Sequence, residues 1–273
     1  MKEQIVRAIE SVHASRPLVH SITNFVVMNI TANALLSAHA SPLMAHAVEE
    51  LDDLTDIDSA LVLNIGTLDP AWLESMELAG KLMRSKGKPV VLDPVGAGAS
   101  RLRTEASLRL LDMVRPQIVR GNASEIMALA SEIRRAERLP SAASSSTKGV
   151  DSLNDSREAV DFARFLAERF SCVVSISGER DFVTDGKTVL VVEGGSPLMP
   201  LVTGMGCSAS AVTGAYAACA EPLTAAAAAM AVFASAGEKA GRLAKGPGTF
   251  LPHFLDELYA IDAEDAAGRV RKN

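Results

Sequence analysis

The feature that most constrains the fold of this chain is an alternation of short apolar runs with longer segments of helical period. The runs ALVLNIG (60–66), PVVLDPVGAG (89–98) and CVVSISG (172–178) each carry a continuous apolar stretch that leads into glycine. Such runs are typical of strands buried on both faces of a parallel sheet. Between the first two lies segment 70–88, which has proline at its first position and basic residues at its end, as a helix does. The alternation predicts a three-layer α/β domain with a mainly parallel central sheet.

The remaining segments extend this pattern along the chain. Further helices are predicted at 104–115, 123–135 and 156–170, a short strand at 116–121, and a hairpin over 182–192 that turns at Asp185 and Gly186; residues 206–245 are predicted to be nearly all alanine-rich helix. Segment 138–156 is rich in serine and alanine and has little to bury, so we expect a mobile surface loop, with a domain linker as the alternative. Residues 1–273 are therefore predicted to form a single domain.

Composition excludes several classes of protein. A net charge of −6 and a pI near 5.5 give no basic surface for nucleic acid. The longest apolar run, 223–237, is shorter than the ~20 residues that cross a bilayer, and the N-terminus lacks the apolar core of a signal peptide. Three cysteines without a CxxC pair indicate neither a disulfide framework nor a zinc site. These features predict a cytoplasmic domain of enzyme size, with no nucleic-acid or membrane partner.

The stretch VTGMGCSAS (202–210) places two glycines and a cysteine where a turn opens into a helix. A dinucleotide-binding turn needs a strand before it and an acidic residue ~20 residues later, whereas here two prolines precede and helices follow. A phosphate-binding turn fits better: Gly204 and Gly206 would let backbone N–H groups face an anion, and the helix would open at Ser208. The helix N-terminus would favour the thiolate of Cys207 by lowering its pKa. The alternative, that Cys207 is merely a small buried side chain, stays open.

Two carboxylates are candidates for a metal site. Asp93 ends an apolar strand directly before Pro94, and Glu125 lies three residues after Asn122 near the start of a helix. Oxygen ligands of this kind suit Mg²⁺. Each carboxylate also has an equally common structural role as the alternative to metal binding, since Asp-Pro forms turns and a glutamate at that spacing caps helices. Arg120 is available for phosphate oxygens, which favours a metal–nucleotide site.

The motifs HSITNFVVMNITANALLSAHASPLM, SALVLNIGTL, KPVVLDPVGAGAS, IVRGNASEI, VTGMGCSASAV and KGPGTFLPHF occur in this order in the chain. Together they resemble the hydroxyethylthiazole kinase family of thiamine salvage, over residues 19–258. The resemblance implies a ribokinase-like α/β/α fold. It also implies transfer of the γ-phosphoryl group of ATP, with Mg²⁺, to the hydroxyl of 4-methyl-5-(2-hydroxyethyl)thiazole. A homotrimer with substrate sites between subunits is implied as well.

The resemblance also implies roles for individual residues, which fall into four groups. They are Arg120 and Ser177 as ATP contacts; Asp93 and Glu125 as the acids that organise magnesium; Met44, Asn24 and Gly204 as thiazole contacts; and Gly204, Gly206 and Cys207 as catalytic residues. The glycines would form an anion hole. Cys207 occupies the place of a catalytic aspartate, where it would accept the proton of the alcohol or only orient it.

Three other functions stay open from the residues alone. One is a related vitamin-precursor kinase of the hydroxymethylpyrimidine type. Another is a cysteine hydrolase with Cys207 as nucleophile and His20 as base, although the sequence offers no carboxylate or amide clearly paired with His20. The third is a non-catalytic sensor of thiazole or nucleotide. The histidines His20, His39, His46 and His253 are otherwise expected to be structural or solvent-exposed.

Overall fold

The computed structural model of the chain describes residues 1–139 and 152–273. Within these residues one sheet of nine strands forms the centre of the molecule. In chain order the strands are β1 (Leu18–Ile22), β2 (Ser41–Leu43), β3 (Ala60–Asn64), β4 (Val90–Asp93), β5 (Ile118–Asn122), β6 (Val173–Ser177), β7 (Asp181–Thr184), β8 (Val189–Val192) and β9 (Val270–Lys272). Their spatial order is β2-β1-β3-β4-β5-β6-β7-β8-β9. The pairs from β2 through β6 are parallel and those from β6 through β9 are antiparallel, so the predicted mainly parallel sheet is confirmed.

Helices cover both faces of this sheet. In chain order they are α1 (Lys2–Ser15), α2 (Met28–Ser37), α3 (Leu51–Ile57), α4 (Pro70–Ser85), α5 (Arg101–Val114), α6 (Ala123–Ala136), α7 (Ser152–Phe170), α8 (Met205–Ala217), α9 (Pro222–Leu243), α10 (Pro247–Tyr259) and α11 (Ala263–Gly268). Successive strand side chains point to opposite faces, so Val62 and Val91 pack with α8 and α9 while Leu61 and Leu92 pack with α4 to α7. The predicted three-layer α/β/α architecture is therefore confirmed.

Local sequence explains where several elements begin and turn. The side chain of Asp69 caps α4 by accepting a hydrogen bond from the Trp72 N–H at 2.9 Å, and Pro70 occupies the first helical position. Strands β7 and β8 form the predicted hairpin, and Gly186 in its turn has a φ of 93°, which favours glycine.

Two predicted boundaries are wrong. Helix α8 begins at Met205 rather than Ser208, because Gly204 alone supplies the left-handed residue that precedes it. Helix α7 begins at Ser152 rather than Ser156, so the last residues of the predicted loop 138–156 are helical. Residues 140–151 lie outside the described part of the chain, and the single-domain assignment stays a prediction. In the described ranges, no helix combines the length and the apolar character needed to cross a bilayer.

Candidate active site

The candidate site lies where the parallel strands end and α8 begins. In a parallel sheet all carboxyl ends meet at one edge, which is where α/β proteins bind ligands. Asn64 at the end of β3 is in register with Asp93 at the end of β4. Asn122 at the end of β5 is likewise in register with Ser177 at the end of β6. The register therefore brings polar residues that are distant in sequence to one edge.

Asp93 is a buried carboxylate with one oxygen fully engaged. Its Oδ2 accepts hydrogen bonds from Ser210 Oγ and from Asn64 Nδ2, both at 2.7 Å. Burial raises the pKa of Asp93 to about 6; the Arg120 charge opposes this rise and the Glu125 charge adds to it. Among the described residues, no hydrogen bond reaches Oδ1, so that oxygen is available to a ligand.

Glu125 has the capping role that the sequence left open. Its Oε2 accepts from the Asn122 N–H while Asn122 Oδ1 accepts from the Glu125 N–H, which is a capping box. Its Oε1 accepts from the Gly96 N–H at 2.8 Å, which ties the loop after β4 to α6. Because both oxygens already bind backbone N–H groups, Glu125 can take part in a metal site through retained water, as Mg²⁺ sites commonly do.

The acids of the site fit an ion that keeps part of its water shell. In the described ranges, no three histidine, cysteine or acidic side chains come together as a cage for a metal ion. Asp93 offers one oxygen for a ligand, and the nearby charge of Glu125 contributes to the raised pKa of Asp93. A hydrated Mg²⁺ held by one or two carboxylates is compatible with this donor set.

The glycine bend, residues 204–207, presents backbone amides at the start of α8. Gly204 has a φ of 91°, and a Cβ there would lie 2.7 Å from Ile30 Cγ2, so the position requires glycine. The helical ladder begins with the Ser208 N–H donating to the Gly204 carbonyl at 2.8 Å, so the amides of 205–207 precede its first bond. These amides and the helix dipole favour an anion. Within the glycine bend only Gly204 has a positive φ and turns the chain, whereas Gly206 has a helical backbone, contrary to the prediction that both glycines turn it.

The segment before this bend argues against dinucleotide binding. A 3₁₀ helix, Met199–Leu201, precedes Gly204 in place of a strand, and four helices, α8 to α11, follow before the next strand. The strand–turn–helix unit that a dinucleotide site needs is thus missing at this position.

Arg120 is a buried guanidinium that fixes the first turn of α8. It is 5% exposed, and its Nη1 donates to the Gly206 carbonyl at 2.9 Å and to Ser210 Oγ at 3.3 Å. Its buried Nε has no partner among the described residues. Burial raises the pKa of Asp181 at the start of β7 to about 6, and the Arg120 charge is one of the influences that oppose this rise. Arg120 therefore supplies positive charge between two carboxylates, and its Nη2, which makes no hydrogen bond among the described residues, is available to a ligand.

Cys207 and Asn24 meet although they are far apart in the sequence. Asn24 Nδ2 lies 3.6 Å from Cys207 Sγ and also donates to Asn64 Oδ1 at 2.8 Å. The predicted lowering of the Cys207 pKa is wrong. Burial raises it to about 11, and the Asp93 charge acts in the same direction, whereas the hydrogen bonds from Asn64 and Asn24 and the Arg120 charge only oppose it. Cys207 is a neutral thiol at pH 7.

The remaining predicted residues lie around this network. Ser177 Oγ donates to the Gly121 carbonyl at 3.4 Å, beside Arg120 on the neighbouring strand. Met44 follows edge strand β2 and packs against the hydrophobic core, without a hydrogen-bonded link to the Asn24–Cys207 pair among the described residues. The fold thus joins Asn24, Asp93, Arg120 and the glycine bend, and leaves Met44 at the periphery.

His20 is a structural residue, as expected. Its ring is fully buried, with Nε2 donating to the Ala45 carbonyl at 2.8 Å and Nδ1 at 2.7 Å from Asp58 Oδ2. The sequence-based statement that no carboxylate clearly pairs with His20 is wrong, because β1 and β3 are adjacent and bring Asp58, which lies two residues before β3, to the ring. Since both ring nitrogens are engaged, His20 is not placed as a base for Cys207.

Two residues of the network were not assigned a role from the sequence. Asn64 accepts from the Gly66 N–H at 3.0 Å, which fixes its amide so that the NH₂ group faces Asp93. Ser210, one turn into α8, links Asp93 to Arg120. A polar residue at the end of an apolar strand was a usable signal for Asn64, and the helical spacing from Gly206 was one for Ser210.

Comparisons with known proteins point to a single family. A family model described as "Hydroxyethylthiazole kinase family" matches residues 9–264. A hydroxyethylthiazole kinase of Nitratidesulfovibrio vulgaris (strain DSM 19637 / Miyazaki F) is 53% identical over 98% of this chain and 97% of its own. One from Pyrococcus furiosus is 48% identical over 97% and 96%, respectively.

Solved structures give the same result. A hydroxyethylthiazole kinase protein from Pyrococcus horikoshii OT3 superposes with a TM-score of 0.88 at 42% identity, covering 100% of both chains. A pyridoxal kinase from Staphylococcus aureus in complex with AMP-PCP and pyridoxal matches with a TM-score of 0.57 at 18% identity, over 81% of this chain and 88% of its own. That second likeness concerns the ribokinase-like fold alone.

Proposed function

The chain belongs to the hydroxyethylthiazole kinase family, and we propose that its phosphoryl transfer takes place between Asp93 and the glycine bend. Family membership makes it an ATP-dependent kinase that phosphorylates the hydroxyl of 4-methyl-5-(2-hydroxyethyl)thiazole. The proposed location of phosphoryl transfer rests on one observation, which is a continuous set of hydrogen bonds. Ser210 donates to Asp93, and Arg120 donates both to Ser210 and to the carbonyl of Gly206 in the bend.

The bend supplies fixed donors for the phosphoryl group in transfer. Charge on that group spreads over its oxygens in the transition state, so positioning and electrostatic stabilisation account for most of the catalysis. The amides of 205–207 precede the first hydrogen bond of α8, and Arg120 holds the carbonyl of Gly206 so that this turn keeps its orientation. Donors fixed in advance need no reorganisation when the charge develops.

Asp93 and Glu125 are the residues that would hold magnesium. Asn64 and Ser210 occupy Oδ2 of Asp93 and leave Oδ1 for the ion, while Glu125 would act through water. Magnesium, when bound, neutralises charge on the phosphate oxygens of the nucleotide.

Other roles follow the same geometry. Arg120 and Ser177 lie on neighbouring strands and are assigned to ATP. Asn24 and Gly204 are assigned to the thiazole alcohol beside Cys207, and Met44 to the thiazole ring from the edge of the sheet.

The proposed assembly is a homotrimer with substrate sites between subunits, and the proposed location is the cytoplasm. Support for the trimer comes from three exposed apolar side chains next to site residues. Phe25 and Val26 follow Asn24, and Leu201 precedes Gly204. Exposed apolar groups gathered near a site are a common mark of an interface.

Cys207→Ser is expected to keep at least about a tenth of the parent kcat. A hydroxyl can replace the thiol in accepting from Asn24 and in orienting the alcohol, and a loose transition state requires little proton abstraction beforehand. Steady-state kinetics at saturating ATP and magnesium measure the effect. A loss of more than about a thousandfold would instead assign Cys207 the role of the base.

Substrate-dependent consumption of ATP tests the proposed function. The unmodified chain is incubated with magnesium, ATP and, in separate reactions, hydroxyethylthiazole, hydroxymethylpyrimidine or pyridoxal, and the product is identified by mass spectrometry. The expected result is the phosphate ester of hydroxyethylthiazole, formed with a kcat/KM far above those of the other two alcohols. Preference for hydroxymethylpyrimidine would support the related kinase, and thiazole binding without turnover would support a sensor.

A further inference from the structure

We propose that Trp72 is a positioning residue that holds together the two segments carrying Asn24 and Met44, and thereby sets the affinity for the thiazole substrate. The inference rests on the proposed function, in which those two residues contact the substrate. Trp72 itself is 5% exposed, so it acts through its neighbours.

The position of Trp72 follows from the start of α4. This helix comes after β3 and begins at the same edge of the sheet as the candidate site. Asp69 caps it by accepting the Trp72 N–H, which fixes the backbone of Trp72 within the first turn. The indole is thus presented to the loops at that edge.

The first segment that Trp72 holds is 23–25, directly after β1. Its Nε1–H donates to the Thr23 carbonyl at 2.9 Å, one residue before Asn24. On the other side of Asn24, the ring of Phe25 packs at 4.7 Å between centroids on the indole. Asn24 is therefore flanked by two residues in contact with Trp72. An indole N–H bound to a backbone carbonyl is a directional contact that a purely apolar side chain cannot reproduce.

The second segment is 44–46, directly after β2. The imidazole of His46 stacks on the indole, with centroids 3.9 Å apart and 28° between the ring planes. Ser75, on the next turn of α4, donates to the His46 carbonyl at 2.6 Å, and His20 donates to the carbonyl of Ala45. Two successive carbonyls after Met44 are thus held by side chains.

Trp72 is the contact common to both segments. Each lacks regular secondary structure, so its backbone shape depends on such side-chain contacts. The network that carries the phosphoryl chemistry, formed by Asp93, Ser210 and Arg120, has no hydrogen bond to Trp72 among the described residues. Loosening Trp72 should therefore weaken thiazole binding more than nucleotide binding.

The first test is a KM comparison with three variants. Trp72→Phe keeps a ring for Phe25 and His46 but removes the donor to Thr23, and should raise the KM for hydroxyethylthiazole about tenfold while the KM for ATP stays within about twofold. Trp72→Leu also removes the aromatic stacking and should raise the KM for hydroxyethylthiazole further. Trp72→Phe therefore serves as a partial rescue of Trp72→Leu. Met83→Leu, a fully buried substitution toward the other end of α4, is the control and should leave both KM values unchanged.

The second test needs no variant, because Trp72 is the only tryptophan in the chain. Its emission should change when hydroxyethylthiazole is added to the unmodified protein, with a midpoint near the KM. ATP and magnesium alone should leave it unchanged. An emission spectrum that stays constant at thiazole concentrations that saturate turnover would overturn the inference, as would an unchanged thiazole KM in Trp72→Phe. If the unmodified chain does not phosphorylate hydroxyethylthiazole at all, the proposed function fails and this inference fails with it.

Discussion

Asp93→Asn is expected to lower kcat by at least about a hundredfold while making the protein more resistant to heat at neutral pH. The activity falls because the amide cannot supply the negative charge that the proposed magnesium site requires. Losses of this size are ordinary when one electrostatic contact to the reacting group is removed. Substitution of a residue with only a structural role would lower both stability and activity. A lower kcat together with a higher Tm therefore distinguishes a catalytic role from a purely structural one.

The gain in stability follows from the raised pKa of Asp93. Burial is the main cause: it raises the pKa of the Asp93 carboxyl to about 6 in the folded chain, from its ordinary value of 3.8. Between those two pH values the folded state holds a proton that the unfolded state has lost, so the free energy of unfolding decreases as the pH rises through this window. The shift corresponds to about 3 kcal/mol lost at pH 7, which sets the upper limit of what the neutral asparagine recovers.

Steady-state kinetics and thermal unfolding of Asp93→Asn and of the parent protein measure the loss of kcat and the gain in stability. Unfolding is followed without magnesium or nucleotide at several pH values, and the difference in Tm between Asp93→Asn and the parent should shrink as the pH falls from 7.5 to 4. Asp112→Asn, on an exposed surface beside Arg115, is the matched control and should change neither kcat nor Tm appreciably. Near-normal turnover by Asp93→Asn, or a lower Tm than the parent at pH 7.5, would contradict the assignment.

Gly204→Ala is expected to lower kcat by about a hundredfold. The φ of 91° is unfavourable for alanine by about 1–2 kcal/mol, and the new Cβ would lie 2.7 Å from Ile30 Cγ2 and 3.2 Å from Val27 Cγ1. Relief of this overlap rotates the first turn of α8, so the amides of the glycine bend no longer face the transferring group. One misplaced donor of this type costs ~10²–10³ in rate.

Gly87→Ala separates backbone strain from loss of the site. Gly87 has a φ of 67°, and a Cβ there meets no atom within 4 Å, so alanine suffers a similar strain at a remote position. We expect a modest loss of Tm in both variants and a loss of kcat in Gly204→Ala alone. Equal kcat values for the two variants would mean that the bend does not take part in the reaction.

Much of the fold was predictable because its signals are local. The buried runs that form β3, β4 and β6 are recognisable from their apolar continuity, and the β7–β8 hairpin from its Asp185-Gly186 turn. The start of α7 was misplaced because its first turn is polar and resembles a loop by composition. Composition alone does not show that such a turn is continued by the amphipathic helix that follows it.

The clustering of several candidate residues was predictable from the sequence, and their electrostatics were less so. That Asp93 and Arg120 lie together follows from strand ends meeting at one edge of a parallel sheet, whereas Cys207, which follows a 3₁₀ helix, is brought to them by α8. The raised pKa of Cys207 could not be predicted from the sequence. The sequence shows the start of the helix, but neither the burial of the thiol nor its proximity to Asp93. The pairing of His20 with Asp58 was hidden for the same reason, since it depends on which strands are neighbours.

Glu125 illustrates a case in which two interpretations of one residue are compatible. The Asn-x-x-Glu spacing predicts a capping box, and the structure contains one. The same carboxylate also binds the Gly96 amide in the loop after Asp93, so the cap places a negative charge beside the proposed magnesium ligand. Local sequence identified the cap, whereas the link to the loop depends on tertiary structure.

The most direct measurement of the central claim is a crystal structure with magnesium, hydroxyethylthiazole and a non-hydrolysable ATP analogue. The expected result places the terminal phosphate about 3 Å from backbone nitrogens of the glycine bend, with the metal coordinated on the Oδ1 side of Asp93 directly or through water. A terminal phosphate bound away from the first turn of α8, in a complex that contains both metal and alcohol, would contradict it.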